Sequence, residues 1–169
     1  MKTGLLGEIY LEREQFLDHR GSLTKVYNLA LFNPLAEGFM PAEIFFSNSR
    51  KGAIRGIHCP IANNPFWRLI GVVNGEIEDV LIDLRLESPS YGTVARNFLT
   101  ESSPFILVPM GVGHGFQSLI ENSQVLYVFG APYAETVEKG VNPMSNCFSW
   151  TYEASAISEK DKELPFYEK

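Results

Sequence analysis

The chain has 169 residues, of which 45% are hydrophobic and 20% charged, the balance of a folded globular protein of one domain's length. Its formal net charge of −6 argues against a general nucleic-acid binder, which needs a basic face for phosphate contacts. No apolar run reaches membrane-spanning length and the first ten residues do not resemble a signal peptide, so we expect neither nucleic acid nor a membrane as partner.

The two cysteines, Cys59 and Cys147, do not form a disulfide framework or a zinc motif. Neither has a second cysteine or a histidine at metal-ligand spacing. Unpaired cysteines are typical of reducing compartments, so we expect a cytoplasmic protein.

Short apolar runs, separated by recurring glycines and prolines, predict many short strands joined by turns. Helix is scarce: only 157–164 and part of 29–40 have a helical pattern. The predicted strands are, in chain order, Ile44–Ser47, Trp67–Val73, Glu76–Leu84, Thr93–Leu99, Phe105–Pro109, Phe116–Ile120 and Gln124–Phe129. We therefore expect an all-β sandwich or barrel, with residues 1–169 forming a single domain.

The dipeptide Asn74-Gly75 lies between two apolar runs and predicts a two-residue type I′ hairpin. In that register Arg68 and Asp79 are diagonal neighbours. Strand alternation places both on the face that also carries Ile70, Val72, Ile77 and Leu81. An arginine and an aspartate on such an apolar face require an explanation.

Three histidines are candidates for chemistry. His19 lies in a polar, turn-like segment and is expected to be an ordinary surface residue. His58 follows Arg55-Gly56-Ile57, and His114 lies in a glycine-rich segment, 109–116, that we interpret as a tight turn near a ligand. Taken singly, each of these is more often a hydrogen-bonded structural histidine than a catalyst.

A catalytic metal is not expected. Metal-binding barrels of the cupin type supply two histidines separated by one residue, together with a glutamate and a distant histidine. Here Pro60 stands where the second histidine would fall, so His58 and His114 remain, too few for a site. Nor are there motifs for a nucleophilic serine, a P-loop or a dinucleotide, and we expect no cofactor.

Six segments in order make the chain resemble the dTDP-4-dehydrorhamnose 3,5-epimerase family, cupin-fold enzymes that act on nucleotide-linked 4-keto-6-deoxysugars. The likeness runs from about Asp18 to Pro165. The segments are Gly52–His58, Gly75–Val80, Asp83–Gly92, Val108-Pro109 with His114–Phe116, Leu126-Tyr127, and Ile157–Asp161 with Pro165. The resemblance implies a jelly-roll β-barrel with short peripheral helices, and a homodimer formed by strand exchange near the N-terminus.

The resemblance also implies roles for individual residues. His58 matches the catalytic base and Asp161 the carboxylate paired with it. Arg68 stands where the family has a lysine that steadies the enolate oxygen, and Tyr127 matches the proposed general acid. The implied substrate-binding residues are Arg20 and Arg55 for the pyrophosphate, Asp79 near the base, His114 for the sugar, and Tyr133.

Structural interpretations stand beside these roles. Asp161 follows Ser158 by three residues, so it completes a capping box at a helix start. Tyr127 on an apolar strand is typical of a core tyrosine with a bonded hydroxyl. The sequence also departs from the family at Glu43 and Phe45, positions that face the nucleotide in the family. The identity of the nucleotide is therefore left open.

The expected reaction is inversion at C3, C5 or both of a nucleoside-diphosphate 4-keto sugar through an enolate, in deoxysugar biosynthesis for a surface polysaccharide or glycoside. It needs a base, a cation or donor at the developing oxyanion, and an acid on the opposite ring face. Three alternatives remain: an epimerase of a single carbon, a ketoisomerase, and a non-catalytic sugar-binding cupin. Because His58, Tyr127 and Asp161 are all present, the sequence favours an enzyme over a non-catalytic sugar-binding protein.

Overall fold

The computed structural model describes residues 2–32 and 39–168. Nearly all regular structure in these residues is β-strand, with two one-turn α-helices and one 3-10 turn at Tyr133–Glu135. The strands are β1 (Lys2–Thr3), β2 (Ile9–Leu11), β3 (Glu14–Asp18), β4 (Gly21–Lys25), β5 (Glu43–Ser49), β6 (Ile54–His58), β7 (Trp67–Asn74), β8 (Glu76–Asp83), β9 (Val94–Thr100), β10 (Phe105–Pro109), β11 (Val112–Ser118) and β12 (Ser123–Phe129). The helices are α1 (Leu29–Phe32) and α2 (Glu159–Lys162).

Two antiparallel sheets face each other. One contains six strands in the order β1-β2-β10-β7-β12-β5, and the other contains four in the order β6-β11-β8-β9. A separate hairpin, β3–β4, consists mainly of exposed residues. This is the jelly-roll arrangement of a cupin, as the sequence predicts.

The main core lies between the two sheets, where Ile70 and Val72 from one sheet meet Ile77, Leu81 and other apolar residues of the second. Each sheet also buries apolar side chains on its outer face. Phe32 and Phe39 belong to the cluster outside the larger sheet, and the C-terminal third of the chain covers the smaller one. Strands β7 and β8 are therefore apolar on both faces.

All seven predicted strands are present. Strand β10 has the predicted bounds, and five others differ by one or two residues. The seventh, β11, begins at Val112 rather than Phe116, so Gly113 and Gly115 lie in a strand. The tight turn predicted within 109–116 is present at Met110-Gly111, between β10 and β11, where Gly111 has a φ of 85°. Strands β1 to β4 and β6 were not predicted from the sequence.

The predicted Asn74-Gly75 hairpin is also wrong. Strand β7 pairs with β10 and β12, whereas β8 pairs with β11 and β9, so the turn carries the chain from one sheet to the other. Gly75 has a φ of 91°, but Asn74 lacks the positive φ that a type I′ turn requires. Arg68 and Asp79 are consequently not diagonal neighbours across a hairpin. The predicted faces are correct, because Ile70, Val72, Ile77 and Leu81 all belong to the core between the sheets, and strand alternation places Arg68 and Asp79 on the same side.

The predicted helix over 157–164 is confirmed only for α2. The other predicted helix, within 29–40, is present as α1, and positions 33–38 lie outside the described residues. No helix among the described residues is both long and apolar enough to span a membrane.

Candidate active site

A pocket of about 690 Å³ opens beside the strands of both sheets. It is large enough for a sugar ring with part of a nucleotide. Most of the site residues predicted from the sequence line its wall, namely Arg55, His58, Arg68, His114, Tyr127, Tyr133 and Asp161. The structure therefore brings together residues that are distant in the sequence. His58 and Asp161, which form a hydrogen bond in this pocket, are 103 positions apart.

His58 and Asp161 form a hydrogen-bonded pair in this pocket. His58 Nε2 donates to Asp161 Oδ1 at 2.7 Å, and the imidazole is about one-third exposed while the carboxylate is buried. A carboxylate only accepts, so the histidine hydrogen is on Nε2 and the lone pair is on Nδ1. In this geometry a neutral imidazole could act as a general base, with the neighbouring carboxylate stabilising the imidazolium.

Helix α2 places Asp161. Ser158 is its N-cap and accepts a hydrogen bond from the Asp161 amide at 3.1 Å, so the predicted cap exists. The Asp161 carboxylate is nevertheless directed at strand β6, where its Oδ2 accepts from the Gly56 amide at 3.2 Å. Burial raises the pKa of Asp161, but the hydrogen bonds from His58, Gly56 and Ser158 outweigh it and hold the pKa below its usual range.

Gly56 explains the Arg-Gly pair that precedes His58. Its φ is 109°, and a β-carbon there would lie 2.6 Å from the Gly115 Cα and 2.7 Å from the His114 carbonyl oxygen. Only glycine lets β6 approach β11 this closely. The close approach also brings the two pocket histidines onto neighbouring strands, with His58 opposite His114 in the register.

Arg68 supplies a buried positive charge on the inner face of β7. Its guanidinium donates to the carbonyl oxygens of His58, at 3.2 Å, and Val112. Its Nε is buried and has no hydrogen-bond partner among the described residues. Burial lowers the pKa of Arg68, yet an arginine remains charged at working pH.

His114 and Asp79 form a second pair, and both are almost completely buried. His114 Nε2 donates to Asp79 Oδ1 at 2.7 Å. Burial lowers the pKa of His114, and the Asp79 charge opposes that effect without cancelling it. Only His114 of the pair lines the pocket. Asp79 lies behind it and is paired with His114 rather than with His58.

Tyr127 lies on β12 among aromatic rings. It stacks on Phe45, its partner across the β5–β12 pair, with centroids 5.0 Å apart, and meets the edges of His114 and Phe129. Burial raises the pKa of Tyr127 well above its usual value. The phenol is therefore protonated at any working pH and has a proton to give.

Two residues that surround Tyr133 were not predicted from the sequence. The Tyr133 hydroxyl donates to Glu138 Oε2 at 2.9 Å and accepts from Lys160 Nζ at 2.9 Å. All three residues line the pocket, and the Tyr133 and Lys160 side chains are largely exposed. In the sequence, only the position of Lys160 next to Asp161 pointed to Lys160.

The two predicted pyrophosphate arginines are separated in the structure. Arg55 lines the pocket, where its Nε donates to Ser49 Oγ at 2.9 Å and a terminal nitrogen donates to the Asn48 carbonyl oxygen at 3.1 Å. Arg20 lies at the tip of the β3–β4 hairpin, exposed and paired with Asp18. It is not part of this chain's pocket wall.

The described residues contain no group of three or more His, Cys, Asp or Glu side chains that could hold a metal ion. In the pairs His58–Asp161 and His114–Asp79, each carboxylate accepts from a histidine and from a backbone or side-chain amide.

A jelly-roll barrel with a histidine–aspartate pair, a protonated tyrosine and a buried arginine in one pocket fits a cupin-type carbohydrate epimerase. The family model described as dTDP-4-dehydrorhamnose 3,5-epimerase matches residues 2–169, and the chain belongs to that family. It is accordingly an isomerase that epimerises a nucleotide-linked 4-keto-6-deoxysugar in deoxysugar biosynthesis.

Individual relatives agree. The dTDP-4-dehydrorhamnose 3,5-epimerase of Salmonella typhimurium is 30% identical over 98% of this chain and 87% of its own length. That of Methanothermobacter thermautotrophicus is 32% identical over 96% of this chain and 90% of its own. The crystal structure of the Bacillus anthracis enzyme, with TDP and PPi bound, has a TM-score of 0.87 at 28% identity and covers 99% of this chain and 98% of that one.

Proposed function

We propose that this chain inverts C3, C5 or both of a dTDP-linked 4-keto-6-deoxysugar, with His58 as base and Tyr127 as acid. The observation that carries the proposal is the His58–Asp161 pair in a pocket that also contains Tyr127 and Arg68. The bound TDP of the Bacillus anthracis relative supports the choice of nucleotide.

A ketone at C4 makes the hydrogens on C3 and C5 acidic, because the carbanion delocalises as an enolate. His58 Nδ1 removes one of these protons, and Asp161 stabilises the imidazolium that forms. The Arg68 charge stabilises the enolate oxygen, and Tyr127 returns a proton to the opposite ring face. Every step uses a side chain of this pocket and none calls for a cofactor.

Deuterium incorporation tests the proposal directly. Each candidate substrate, a dTDP-, CDP- or GDP-linked 4-keto-6-deoxysugar, is incubated with the protein in deuterated water and followed by NMR. We expect label at C3 or C5 together with an inverted product, and the same rate after exhaustive chelation of metals. Absence of label from every candidate would overturn the proposal, and a chelation loss restored by one divalent ion would overturn His58 as the base.

A single-site epimerase is the second candidate. A relative named dTDP-4-dehydrorhamnose 3-epimerase, from Streptomyces niveus, is 27% identical over 95% of this chain. The same experiment separates the two possibilities, since a single-site enzyme places label on one carbon while a double epimerase labels both.

We further propose a homodimer in which the β3–β4 hairpin reaches the pocket of a second copy. Arg20 is exposed at the hairpin tip and does not line its own pocket, which supports its delivery to a partner's pyrophosphate site. We also propose a cytoplasmic location, in support of which Cys59 and Cys147 are both free thiols.

A further inference from the structure

A chain of polar side chains leads away from the pocket behind His114. Asp79 Oδ1 accepts from His114, and Asp79 Oδ2 accepts from Asn97 Nδ2 at 3.2 Å. Asn97 Oδ1 lies 3.1 Å from the Tyr10 hydroxyl, which in turn lies 3.2 Å from Glu8 Oε1. The epimerisation steps proposed above use none of Asn97, Tyr10 and Glu8.

These contacts connect the two sheets through the interior. Asp79 and Asn97 are direct partners in the β8–β9 register of the smaller sheet. Tyr10 belongs to β2 of the larger sheet, so its hydrogen bond to Asn97 crosses between the sheets. Glu8 and Asp79 are 1% and 0% exposed, which makes an unsatisfied hydrogen bond costly at either end.

The orientation of the Asn97 amide follows from its two neighbours. A carboxylate only accepts, so Asn97 presents its amide nitrogen to Asp79 and its oxygen to Tyr10. The Tyr10 hydroxyl has one hydrogen and two acceptors, Asn97 Oδ1 and Glu8 Oε1, which share it. Burial, followed by the Glu8 charge, raises the pKa of Tyr10 to about 12, so that hydrogen stays in place.

We propose that Asn97 and Tyr10 are positioning residues, which hold Asp79 so that His114 keeps one ring orientation and one tautomer, with its hydrogen on Nε2. The inference rests on the proposed function, since His114 is taken to contact the sugar. Because burial lowers the pKa of His114, the ring is uncharged and its Nδ1 is an acceptor. His114 then accepts a hydrogen bond from a sugar hydroxyl instead of donating one.

Several titratable or charged groups face the Asp79–Asn97 pair. They are His114 on β11, Tyr127 on β12, Arg68 on β7, Tyr10 on β2 and Glu8 just before it. The charge of His58 affects the pair indirectly, because it lowers the pKa of His114.

Asn97→Asp tests the donor role with almost no change of shape. It replaces the amide donor by a second carboxylate, and two adjacent carboxylates share one proton whose pKa is strongly raised. Activity should be low at about pH 8, and its ratio to wild type should rise about tenfold by about pH 6, when the shared proton restores a donor to Asp79. Asn97→Leu, which has no proton to share, should be impaired to the same degree at both pH values.

An exposed substitution, Asn63→Asp, is the matched control and should follow the wild type at both pH values. A pH-independent ratio for Asn97→Asp, or the same behaviour as Asn97→Leu, would overturn the inference and leave Asn97 a packing residue. A wild type that is inactive on every candidate sugar would instead overturn the proposed function.

Nitrogen-15 NMR of labelled histidines provides a readout that needs no substrate. Wild-type His114 should show a protonated Nε2 and an unprotonated Nδ1. Tyr10→Phe removes a single hydroxyl, and we expect it to shift the His114 Nε2 resonance while His19 is unchanged. Unchanged His114 resonances in this variant would contradict the positioning role, even if Asn97→Asp fails to fold.

Discussion

His58 and Asp161 form the pair on which the proposed chemistry depends, and each is held by a different part of the chain. His58 ends strand β6, and Asp161 lies on a one-turn helix near the C-terminus. The Gly56 amide also donates to Asp161, so the residue that lets β6 approach β11 also orients the carboxylate. The hydrogen bonds that Asp161 accepts from His58 and Gly56 therefore stabilise the fold and also serve the proposed catalysis.

The first prediction concerns the base. His58→Ala should lose both deuterium incorporation and product formation, because His58 is the proposed base and the Asp161 carboxylate is oriented to stabilise its imidazolium. We expect a loss of about 10²–10⁴-fold, the usual contribution of one general base. His19→Ala, on an exposed turn, should keep wild-type rates in the same NMR assay. Wild-type exchange in His58→Ala would mean that another group is the base, and His114, the second histidine that lines the pocket, would be tested first.

The second prediction separates proton removal from inversion. Tyr127→Phe keeps the ring and its stacking on Phe45, so the enolate still forms and His58 can return the proton to the original face. Deuterium should continue to enter recovered substrate, while inverted sugar falls by a much larger factor. A core tyrosine without a catalytic role predicts an unchanged ratio of the two rates, and measuring both on one sample decides between them.

The third prediction concerns Asp161 and pH. Its pKa is lower in the folded protein than the value of about 3.9 expected when unfolded, so its stabilisation is present above about pH 4 and is lost as pH falls through the folded pKa. Asp161→Asn should lower the free energy of unfolding by about 1–3 kcal/mol at neutral pH. The difference from wild type should shrink below about pH 4 in urea titrations, and a gap that stays constant with pH would contradict this account.

At the scale of secondary-structure elements, the sequence predicted where strands lie but not how they pair. Alternation and apolar runs located seven of the strands and the inward faces of β7 and β8. Pairing failed at Asn74-Gly75, because the turn signal is local whereas each strand finds its partners in a different sheet. Strand partners are set by the packing of the entire barrel, which no short window of sequence contains.

Strand β6 and the β3–β4 hairpin went undetected for a common physical reason. Strand β6 contains Gly56 and Arg55, and the β3–β4 hairpin is exposed, so neither has the apolar alternation that identifies a half-buried strand. The catalytic candidates came from resemblance to a family rather than from pattern. Lys160 and Glu138 escaped because charged residues outside strands carry no periodic signal.

The fourth prediction tests the approach of β6 to β11. Gly56→Ala should destabilise the fold by well over the roughly 1 kcal/mol that a positive φ costs alanine, because its β-carbon would collide with backbone of β11. Gly21 is a matched control, with a φ of 123° and no heavy atom within 4 Å of the position that a β-carbon would occupy. Gly21→Ala should therefore show only the φ cost in urea unfolding, and equal losses in both variants would refute the collision.

For the whole molecule, the clearest unexplained feature is exposed apolar surface on the β3–β4 hairpin and on β5. Phe16 and Leu23 are cross-strand partners on the hairpin, and each is at least half exposed. Strand β5 is an edge of the larger sheet, and its Ile44 and Phe46 are more than 60% exposed. An exposed apolar edge of this kind is normally covered by a partner.

The last prediction is that this surface forms the homodimer and that the dimer completes the substrate site. Light scattering should give about twice the chain mass of 19.0 kDa at micromolar concentration. Leu23→Lys places a charge in the apolar contact and should shift the protein towards monomer, whereas Leu86→Lys, also exposed but in the β8–β9 loop, should remain a dimer.

If Arg20 is delivered to the partner's pocket, Leu23→Lys should also raise KM more than it lowers kcat. Arg20→Ala should raise KM while the mass stays dimeric, because it removes the phosphate contact without the interface. A wild-type mass near 19.0 kDa would refute the dimer, and an unchanged KM in Arg20→Ala would refute the shared site while leaving the dimer intact.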